Sequence, residues 1–281
     1  SQGDWVSPEE LKFEGTGDDR KAIHLQSGEE LKIGSIEKMS KSKLNVIDMT
    51  AMAESFGADA TRWFVLSDSP PERDVQWTEA GIEGVWRYVQ KLWRLVDDAN
   101  AIISSEEDGS AENFDSEALL KAAHKAVAQV SESYENLRFN RAIAHLYDLT
   151  NTLSKAVSAI KLAPTHKERA ALRTATDFLV KLCNPIVPHV TETCWARLNK
   201  DSILADEAWP VADESYLKED SIILPVQVNG KRRGEIEVAK DLPKEQVEDA
   251  ALSLDAVSRI LDGKSPKKVI VVPGRIVNVV V

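Results

Sequence analysis

The stretch from residue 78 to residue 199 places apolar side chains at the spacing of α-helices, which strongly constrains the fold. In its first segment they recur every three or four positions: Ile82, Val85, Trp86, Val89, Leu92, Trp93 and Val96. Similar segments cover residues 116–134, 139–160, 165–182 and 189–199. Thr78 and Ser116 are expected to cap the first two helices, and Thr165 with Glu168 has the form of a capping box. Amphipathic helices bury their apolar faces against each other, so this stretch predicts a helical bundle.

Near the C-terminal end the apolar spacing changes to two, which is typical of β-strands. Val226 and Val228 form one alternating run, and Asn229-Gly230 separates it from a second run that ends at Val238. An Asn-Gly pair favours a type I′ hairpin turn, because both residues accept a positive φ. Helical segments are expected over residues 243–261, and two more strands over residues 267–272 and 276–281. The pattern predicts a small α+β unit.

Charge limits the kind of partner. The chain has 35 Lys and Arg against 46 Asp and Glu, a net charge of −11, which argues against a protein that coats nucleic acid indiscriminately. Residues 224–281 carry 10 Lys and Arg against 8 Asp and Glu, net +2, which leaves −13 for residues 1–223. Lys231, Arg232 and Arg233 follow the hairpin turn and are candidates for phosphate contacts. The alternative is a charged strand edge that prevents aggregation.

Several features exclude other classes of protein or site. No segment is apolar for long enough to span a bilayer and the first residues do not resemble a signal peptide, so we expect no membrane and a cytoplasmic location. Cys183 and Cys194 lack a Cys-x-x-Cys arrangement and are expected to be buried thiols. His189 and Glu192 lack further ligands, so no metal site is predicted. Core packing is favoured over base stacking for the tryptophans at core spacing: Trp86, Trp93 and Trp195.

Residues 38–43 combine lysine and serine in a way that suits a mobile loop and not a core. The cluster reads Lys38, Met39, Ser40, Lys41, Ser42 and Lys43. Ammonium and hydroxyl groups are donors for a polyphosphate, and a turn can direct some cations to one ligand while others stay solvated. The alternative is a solvated loop without a ligand, since short motifs also occur by chance. By contrast, residues 15–17, Gly-Thr-Gly, are interpreted as a turn.

The chain after this loop predicts two short helices and then a break. Asp48 or Thr50 can cap the first helix, Gly57 marks its end, and Asp59 can open the second. Two prolines then interrupt the helical pattern in residues 69–77.

These motifs resemble those of class I aminoacyl-tRNA synthetases, and in particular the bacterial leucyl-tRNA synthetases. The run from residue 34 to residue 43 is similar to their signature loop, and residues 69–77 are similar to the segment that follows it. Residues 137–143 and 185–189 resemble the helical anticodon-binding domain of the leucine, isoleucine and valine group. Residues 226–234 and 272–275 resemble the C-terminal domain of the leucyl enzymes. Leu44 and Met49 depart from the pattern, in which a polar residue and a proline respectively are expected.

The resemblance covers nearly the whole chain and implies a multidomain, mainly α fold. Residues 1–36 would be the end of a leucine-specific insertion and a strand of the class I nucleotide-binding catalytic domain. Residues 37–77 would hold the signature loop and a connector near the acceptor stem of tRNA. Residues 78–210 would be the α-helical bundle of the anticodon-binding type, and residues 211–223 a linker to the C-terminal α+β tRNA-binding domain at 224–281.

The resemblance also implies substrates and residue roles. The parent enzyme would make leucyl-adenylate from leucine and ATP, with Mg²⁺, and transfer leucine to tRNA(Leu). Lys38 and Lys41 would be catalytic, with Lys41 stabilising the charge on pyrophosphate, and residues 38–42 would bind ATP. Contacts with tRNA would come from basic residues of the bundle and the C-terminal unit: Arg138, Arg141, Lys231, Arg232, Arg233, Lys267, Lys268 and Arg275. A monomer is expected, with no metal bound by this chain.

Half of the active site is expected to lie outside this sequence. No His-x-Gly-His element occurs in it, nor the nucleotide-binding sheet that would hold one. We therefore expect a piece of a longer synthetase that is inactive alone. The alternative is a stand-alone, non-catalytic tRNA-binding protein derived from a synthetase, although a pure binder does not need lysines for pyrophosphate. A purely structural bundle leaves the loop and the basic hairpin unexplained.

Overall fold

Two apolar cores organise the described part of the chain, one shared by most of the helices and one belonging to the last sheet. The computed structural model describes residues 5–15, 19–217, 221–239 and 242–281. Thr16 and Gly17, part of an expected turn, lie outside these ranges. No helix within them is both long enough and apolar enough to cross a bilayer.

A small antiparallel sheet precedes the helices. Its strands are β1 (Leu11–Glu14), β2 (Lys21–His24) and β3 (Glu30–Leu31), in the order β1-β2-β3. Ala22 is buried in this sheet, whereas Phe13 is 41% exposed. A sheet this small buries little apolar area and therefore contributes little stability by itself.

The helices after the lysine loop pack around the larger core, which confirms the predicted bundle. They are α1 (Met49–Phe56), α2 (Ala58–Ser67), α3 (Glu79–Ile103), α4 (Ser116–Glu135), α5 (Phe139–Ala159), α6 (His166–Cys183) and α7 (Pro188–Arg197), followed by the single turn α8 (Glu214–Leu217). Cys183 and Cys194 are both buried in this core, as expected.

Local capping signals set the starts of four helices, α1, α3, α4 and α6. Thr78 caps α3, and Thr165 with Glu168 forms the predicted capping box at α6. Asp48, one of two candidates, caps α1. The expected cap of α4 was wrong by one residue: the Asp115 carboxylate accepts the free N–H groups at this helix start, and Ser116 is the first helical residue.

The tryptophans differ in their burial. Trp195 is 3% exposed and packs in the core, as expected, but Trp86 and Trp93 are 39% and 37% exposed. Packing in the core was therefore the wrong expectation for these two residues. The cause is the width of the apolar stripe on α3: Leu92 and Val96 face the core, and the tryptophans lie at the edge of that face.

Asp59 joins the helices next to the lysine loop to the bundle. Its carboxylate accepts hydrogen bonds from the backbone N–H groups of Val190 (2.7 Å) and His189 (3.4 Å) at the start of α7. Arg62 forms an ion pair with Asp59 and donates from Nε to the carbonyl oxygen of Ile186 at 3.2 Å. Asp59 was expected to open α2, but Gly57 occupies that cap position and the carboxylate serves a helix 130 residues away.

The C-terminal unit is a four-stranded sheet covered on one face by two short helices. Its strands are β4 (Ser221–Val228), β5 (Lys231–Ala239), β6 (Lys268–Val272) and β7 (Ile276–Val280), in the order β5-β4-β7-β6, and its helices are α9 (Lys244–Leu252) and α10 (Asp255–Leu261). The central strands β4 and β7 are parallel, and the outer pairings are antiparallel. The unit therefore has the predicted α+β composition.

The turn between β4 and β5 has the predicted conformation. Asn229 and Gly230 have φ values of 47° and 79°, as a type I′ turn requires. The Asn229 side chain accepts a hydrogen bond from Val281 N at 3.1 Å, and Asn278 accepts one from Gly230 N at 3.1 Å. These bonds hold the hairpin tip against β7.

His124 on α4 holds the segment that leads towards the C-terminal unit. Its Nδ1 accepts a hydrogen bond from Asp213 N at 3.0 Å, and its ring stacks on Tyr216 of α8 with a centroid distance of 4.6 Å. His124 is 8% exposed, and burial lowers its pKa below the usual 6.5. This contact therefore requires the neutral imidazole.

We expect Asp59→Ala to lower the free energy of unfolding by about 2–3 kcal/mol, because it leaves Arg62 unpaired and the start of α7 without its cap. Asp98→Ala, an exposed aspartate on α3, is the matched control and should change it by less than about 0.5 kcal/mol. Urea denaturation measures both. Equal effects of the two substitutions would contradict the role of Asp59.

Stability should fall as the pH drops below about 6.5, because the unfolded chain protonates His124 there and the folded chain resists protonation. His124→Asn keeps an acceptor near Nδ1 and should weaken this pH dependence. His166→Asn, at the exposed start of α6, is the control. Urea denaturation at pH 7.5, 6.5 and 5.5 compares the variants. If the slope of the unfolding free energy against pH were unchanged in His124→Asn, the assignment would be contradicted.

Candidate functional site

The lysine loop (residues 38–43) is extended at its start and ends in a tight turn. Residues up to Ser40 are irregular, and Lys41–Lys43 form a short 3₁₀ turn in which Lys43 N donates to Ser40 O at 3.0 Å. The hydroxyl oxygens of Ser40 and Ser42 are 2.8 Å apart and share a hydrogen bond. Leu44 then adopts a left-handed conformation with φ 52°. The chain therefore reverses sharply behind the loop.

The three lysines of the loop lie in different environments. Lys43 forms an ion pair with Glu37, and its ammonium nitrogen is 5.4 Å from the ring centroid of Trp5. Lys38 and Lys41 are exposed, and no acidic side chain of the described residues forms an ion pair with either. Glu37 therefore neutralises one cation of the cluster and leaves the other two for a ligand.

A cavity of about 700 Å³ adjoins the loop. Its lining includes Lys38, Met39 and Asn45 on one side and residues 74–77 on the other, whereas Ser40, Lys41 and Ser42 are not part of it. The size is in the range of small-molecule sites. The first two residues of the predicted ATP-binding motif thus line a cavity, and the other three follow outside it, with Ser40 partly buried and Lys41 and Ser42 exposed.

Sequence reasoning missed some of the residues at this cavity. Asn45, Asp74 and Gln76 line it, although none was a candidate site residue. The similarity of residues 69–77 to a known segment was the available signal for the second wall. Nothing in the sequence marked Asn45, because its position depends on the chain reversal at Leu44.

The basic residues predicted on the bundle lie at the start of α5. Arg138 and Arg141 are exposed, and neither forms an ion pair within the described ranges. Burial lowers the pKa of the neighbouring His145; the charges of Arg141 and Lys125 act in the same direction, whereas those of Asp148 and Glu132 act against it. The surface around Arg138 and Arg141 therefore carries both basic and acidic side chains.

Five of the six basic candidates of the C-terminal unit lie at one end of its sheet. Lys231, Arg232 and Arg233 begin β5, and Lys268, at the start of β6 after Lys267, pairs with Val280 at the end of β7. Arg275 precedes β7 and therefore lies at the opposite end of the sheet. The topology thus separates Arg275 from the other cations.

The cations of this basic end are not equally free. Arg232 forms an ion pair with Glu235 at 2.6 Å, and the Lys267 ammonium group donates to the carbonyl oxygen of Val281 at 3.4 Å. Lys231 and Arg233 are exposed and form no ion pair among the residues that the structure describes. The two free cations flank the paired Arg232 at the hairpin tip.

His189 and Glu192 do not share a site. The Glu192 carboxylate accepts hydrogen bonds from the N–H groups of Leu204 and Ala205, at 2.9 and 3.0 Å. His189 Nδ1 instead lies 3.7 Å from the Asp59 carboxylate. Within the described ranges, no three His, Cys, Asp or Glu side chains are grouped so that they could hold a metal ion.

Two protein families match separate parts of the chain. The family described as "tRNA synthetases class I (I, L, M and V)" matches residues 34–78, which include the lysine loop and the second wall of the cavity. The family described as "Anticodon-binding domain of tRNA ligase" matches residues 116–248. The chain therefore combines part of a class I synthetase fold with an anticodon-binding domain.

Individual relatives extend this similarity to the whole chain. The leucine–tRNA ligase of Rhizobium etli is 45% identical over 279 residues, which are 99% of this chain and 32% of that protein. The leucine–tRNA ligase of Brucella ovis is 47% identical and covers 100% of this chain, again about a third of the relative. The chain thus spans about a third of the length of the curated relatives it matches.

A solved structure shows the same similarity in three dimensions. The LeuRS of Agrobacterium radiobacter K84, in a ternary complex with tRNA and LeuAMS, matches 86% of this chain and 31% of its own chain. The TM-score is 0.66 at 30% sequence identity. Together with the curated relatives, this match confirms the resemblance predicted from the sequence.

Proposed function

We infer that this chain is the C-terminal part of a leucyl-tRNA synthetase, and that the complete enzyme activates leucine with ATP and transfers it to tRNA(Leu). One observation carries this proposal. Lys38 and Lys41 are free cations in a loop that lies within the class I family match, and the whole chain is similar to leucine–tRNA ligases. In this proposal the domains follow the order expected from the sequence, and the protein is a cytoplasmic monomer.

The two free lysines act on the phosphates of ATP. When the leucine carboxylate attacks the α-phosphate, the bond to the β-phosphate breaks and negative charge grows on the departing pyrophosphate. A cation about 4 Å from that charge stabilises it by about 4 kcal/mol at an effective dielectric constant near 20. Lys41 fills this role, and Lys38, which lines the cavity, holds the nucleotide. Such electrostatic stabilisation is the main protein contribution to phosphoryl-group chemistry.

Mg²⁺ would accompany ATP and offset part of the triphosphate charge.

Two basic surfaces bind tRNA in this proposal. The bundle contributes Arg138 and Arg141, and the C-terminal unit contributes the basic end of its sheet. A free cation can bind a phosphate without first breaking an ion pair, so Lys231 and Arg233 are the strongest candidates at the hairpin. The solved relative described above was crystallised with tRNA, which supports this assignment.

The chain alone is expected to be inactive, because its candidate site supplies cations and one cavity but no His-x-Gly-His element. A stand-alone tRNA-binding protein would share the basic surfaces. It would not need the division of the loop lysines into one paired and two free cations, and this division favours the synthetase.

In an intact synthetase that contains this chain, Lys41→Ala is expected to slow leucine-dependent ATP–pyrophosphate exchange by about a hundredfold or more, because it removes the cation nearest the growing charge. Lys43→Ala removes the same charge from the same loop, but Glu37 already neutralises Lys43, so the loss should stay below about tenfold. Filter binding of tRNA controls for general damage. Equal exchange rates in Lys41→Ala and the parent would contradict the proposal.

Replacing Lys231, Arg232 and Arg233 together by alanine should weaken binding of leucine tRNA to the chain. It should also lower the slope of log Kd against log salt concentration by about two units, because fewer counterions are released. Replacing Lys155, Lys161 and Lys264, three exposed lysines elsewhere, changes the net charge equally and is the control. If both triple variants lost affinity to the same extent, the hairpin would not be a specific tRNA contact.

A further inference from the structure

The side chain of Asn45 bonds to the lysine loop on both sides of Met39. Its Oδ1 accepts a hydrogen bond from Ser40 N at 2.7 Å, and its Nδ2 donates to the carbonyl oxygen of Lys38 at 3.4 Å. The carboxamide therefore pairs with the loop backbone as the peptide group of a neighbouring strand would. Through these bonds, one side chain fixes the segment between the two free lysines.

Leu44 makes this pairing geometrically accessible. Its φ of 52° and ψ of 22° are left-handed, a conformation that leucine rarely adopts. The reversal at Leu44 follows the turn Lys41–Lys43 and brings the next residue back to the start of the loop. A strained backbone of this kind persists only when surrounding contacts stabilise it, and the two bonds of Asn45 are such contacts.

Asn45 also lies where the loop meets the cavity. It lines the cavity together with Lys38 and Met39. Ser40 is partly buried while Lys41 is exposed, so the pairing holds the backbone and leaves the ammonium group of Lys41 free to reach a ligand. The ion pair between Glu37 and Lys43 joins the residue before the loop to the last residue of the loop.

We infer that Asn45 is a positioning residue for adenylate formation: it holds the backbone between Lys38 and Ser40 so that Lys38 and Lys41 act on one triphosphate. This inference rests on the proposed function. Asn45 touches no phosphate itself and acts through the two lysines. A loop without these two hydrogen bonds would sample many conformations, so its cations would lie close to the triphosphate less often.

The test compares variants of an intact synthetase that contains this chain. Asn45→Ala removes both hydrogen bonds and should lower kcat for ATP–pyrophosphate exchange by about tenfold, with little change in the KM for leucine. Asn45→Asp keeps the acceptor for Ser40 N but replaces the donor to Lys38 O by a carboxylate oxygen, whose charge repels that carbonyl oxygen and the triphosphate, so its kcat should fall at least as far as that of Asn45→Ala. Asn151→Ala, which removes a surface bond to Lys91 in the bundle, is the matched control and should leave kcat unchanged.

A double-mutant cycle separates positioning from general stability. If Asn45 acts through Lys41, Asn45→Ala should have a smaller effect in the Lys41→Ala background than in the parent. Additive effects, or a kcat of Asn45→Ala equal to that of the parent, would overturn the inference. If Lys41→Ala itself has no effect on exchange, the proposed function fails instead, so the two failures are distinguishable.

Discussion

The buried carboxylate of Asp59 connects the segment that carries the lysine loop to the helical bundle. It caps α7 and pairs with Arg62 of α2, which also bonds to the chain between α6 and α7. Next to it, Trp63 is fully buried and donates from its indole N–H to the hydroxyl of Tyr147 at 3.1 Å. Because these contacts are buried and their polar groups are hydrogen-bonded, the helices that follow the loop are held firmly against the bundle. The lysine loop thus leads into helices that are fixed to the bundle.

Within the loop, charge pairing divides the lysines into one paired and two free cations. Glu37 neutralises Lys43 and the carboxamide of Asn45 holds the backbone, whereas Lys38 and Lys41 remain free. A cluster of three adjacent cations without such pairing would repel itself and have no preferred shape. The same division recurs at the C-terminal hairpin, where Glu235 pairs with Arg232 and leaves Lys231 and Arg233 free.

Local signals in the sequence were sufficient for the helices, most of their caps and the Asn229-Gly230 hairpin, because each depends on a few neighbouring residues. Two features of the site were not accessible in this way. The partner of Asp59 is a helix start 130 residues away, and the contacts of Asn45 depend on a left-handed leucine that no propensity favours. The spacing of apolar residues also overestimated the burial of Trp86 and Trp93. It identifies the apolar face of a helix, but it does not show how much of that face the neighbouring helices cover.

We propose that this chain supplies the pyrophosphate-stabilising half of an adenylating site whose other half lies in the remaining two thirds of a leucyl-tRNA synthetase. The most direct measurement is leucine-dependent ATP–pyrophosphate exchange by this chain alone and by the same chain in covalent continuity with that remaining part. We expect no exchange above background for the chain alone and robust exchange for the continuous protein. Exchange by the chain alone, or none by the continuous protein, would contradict the account.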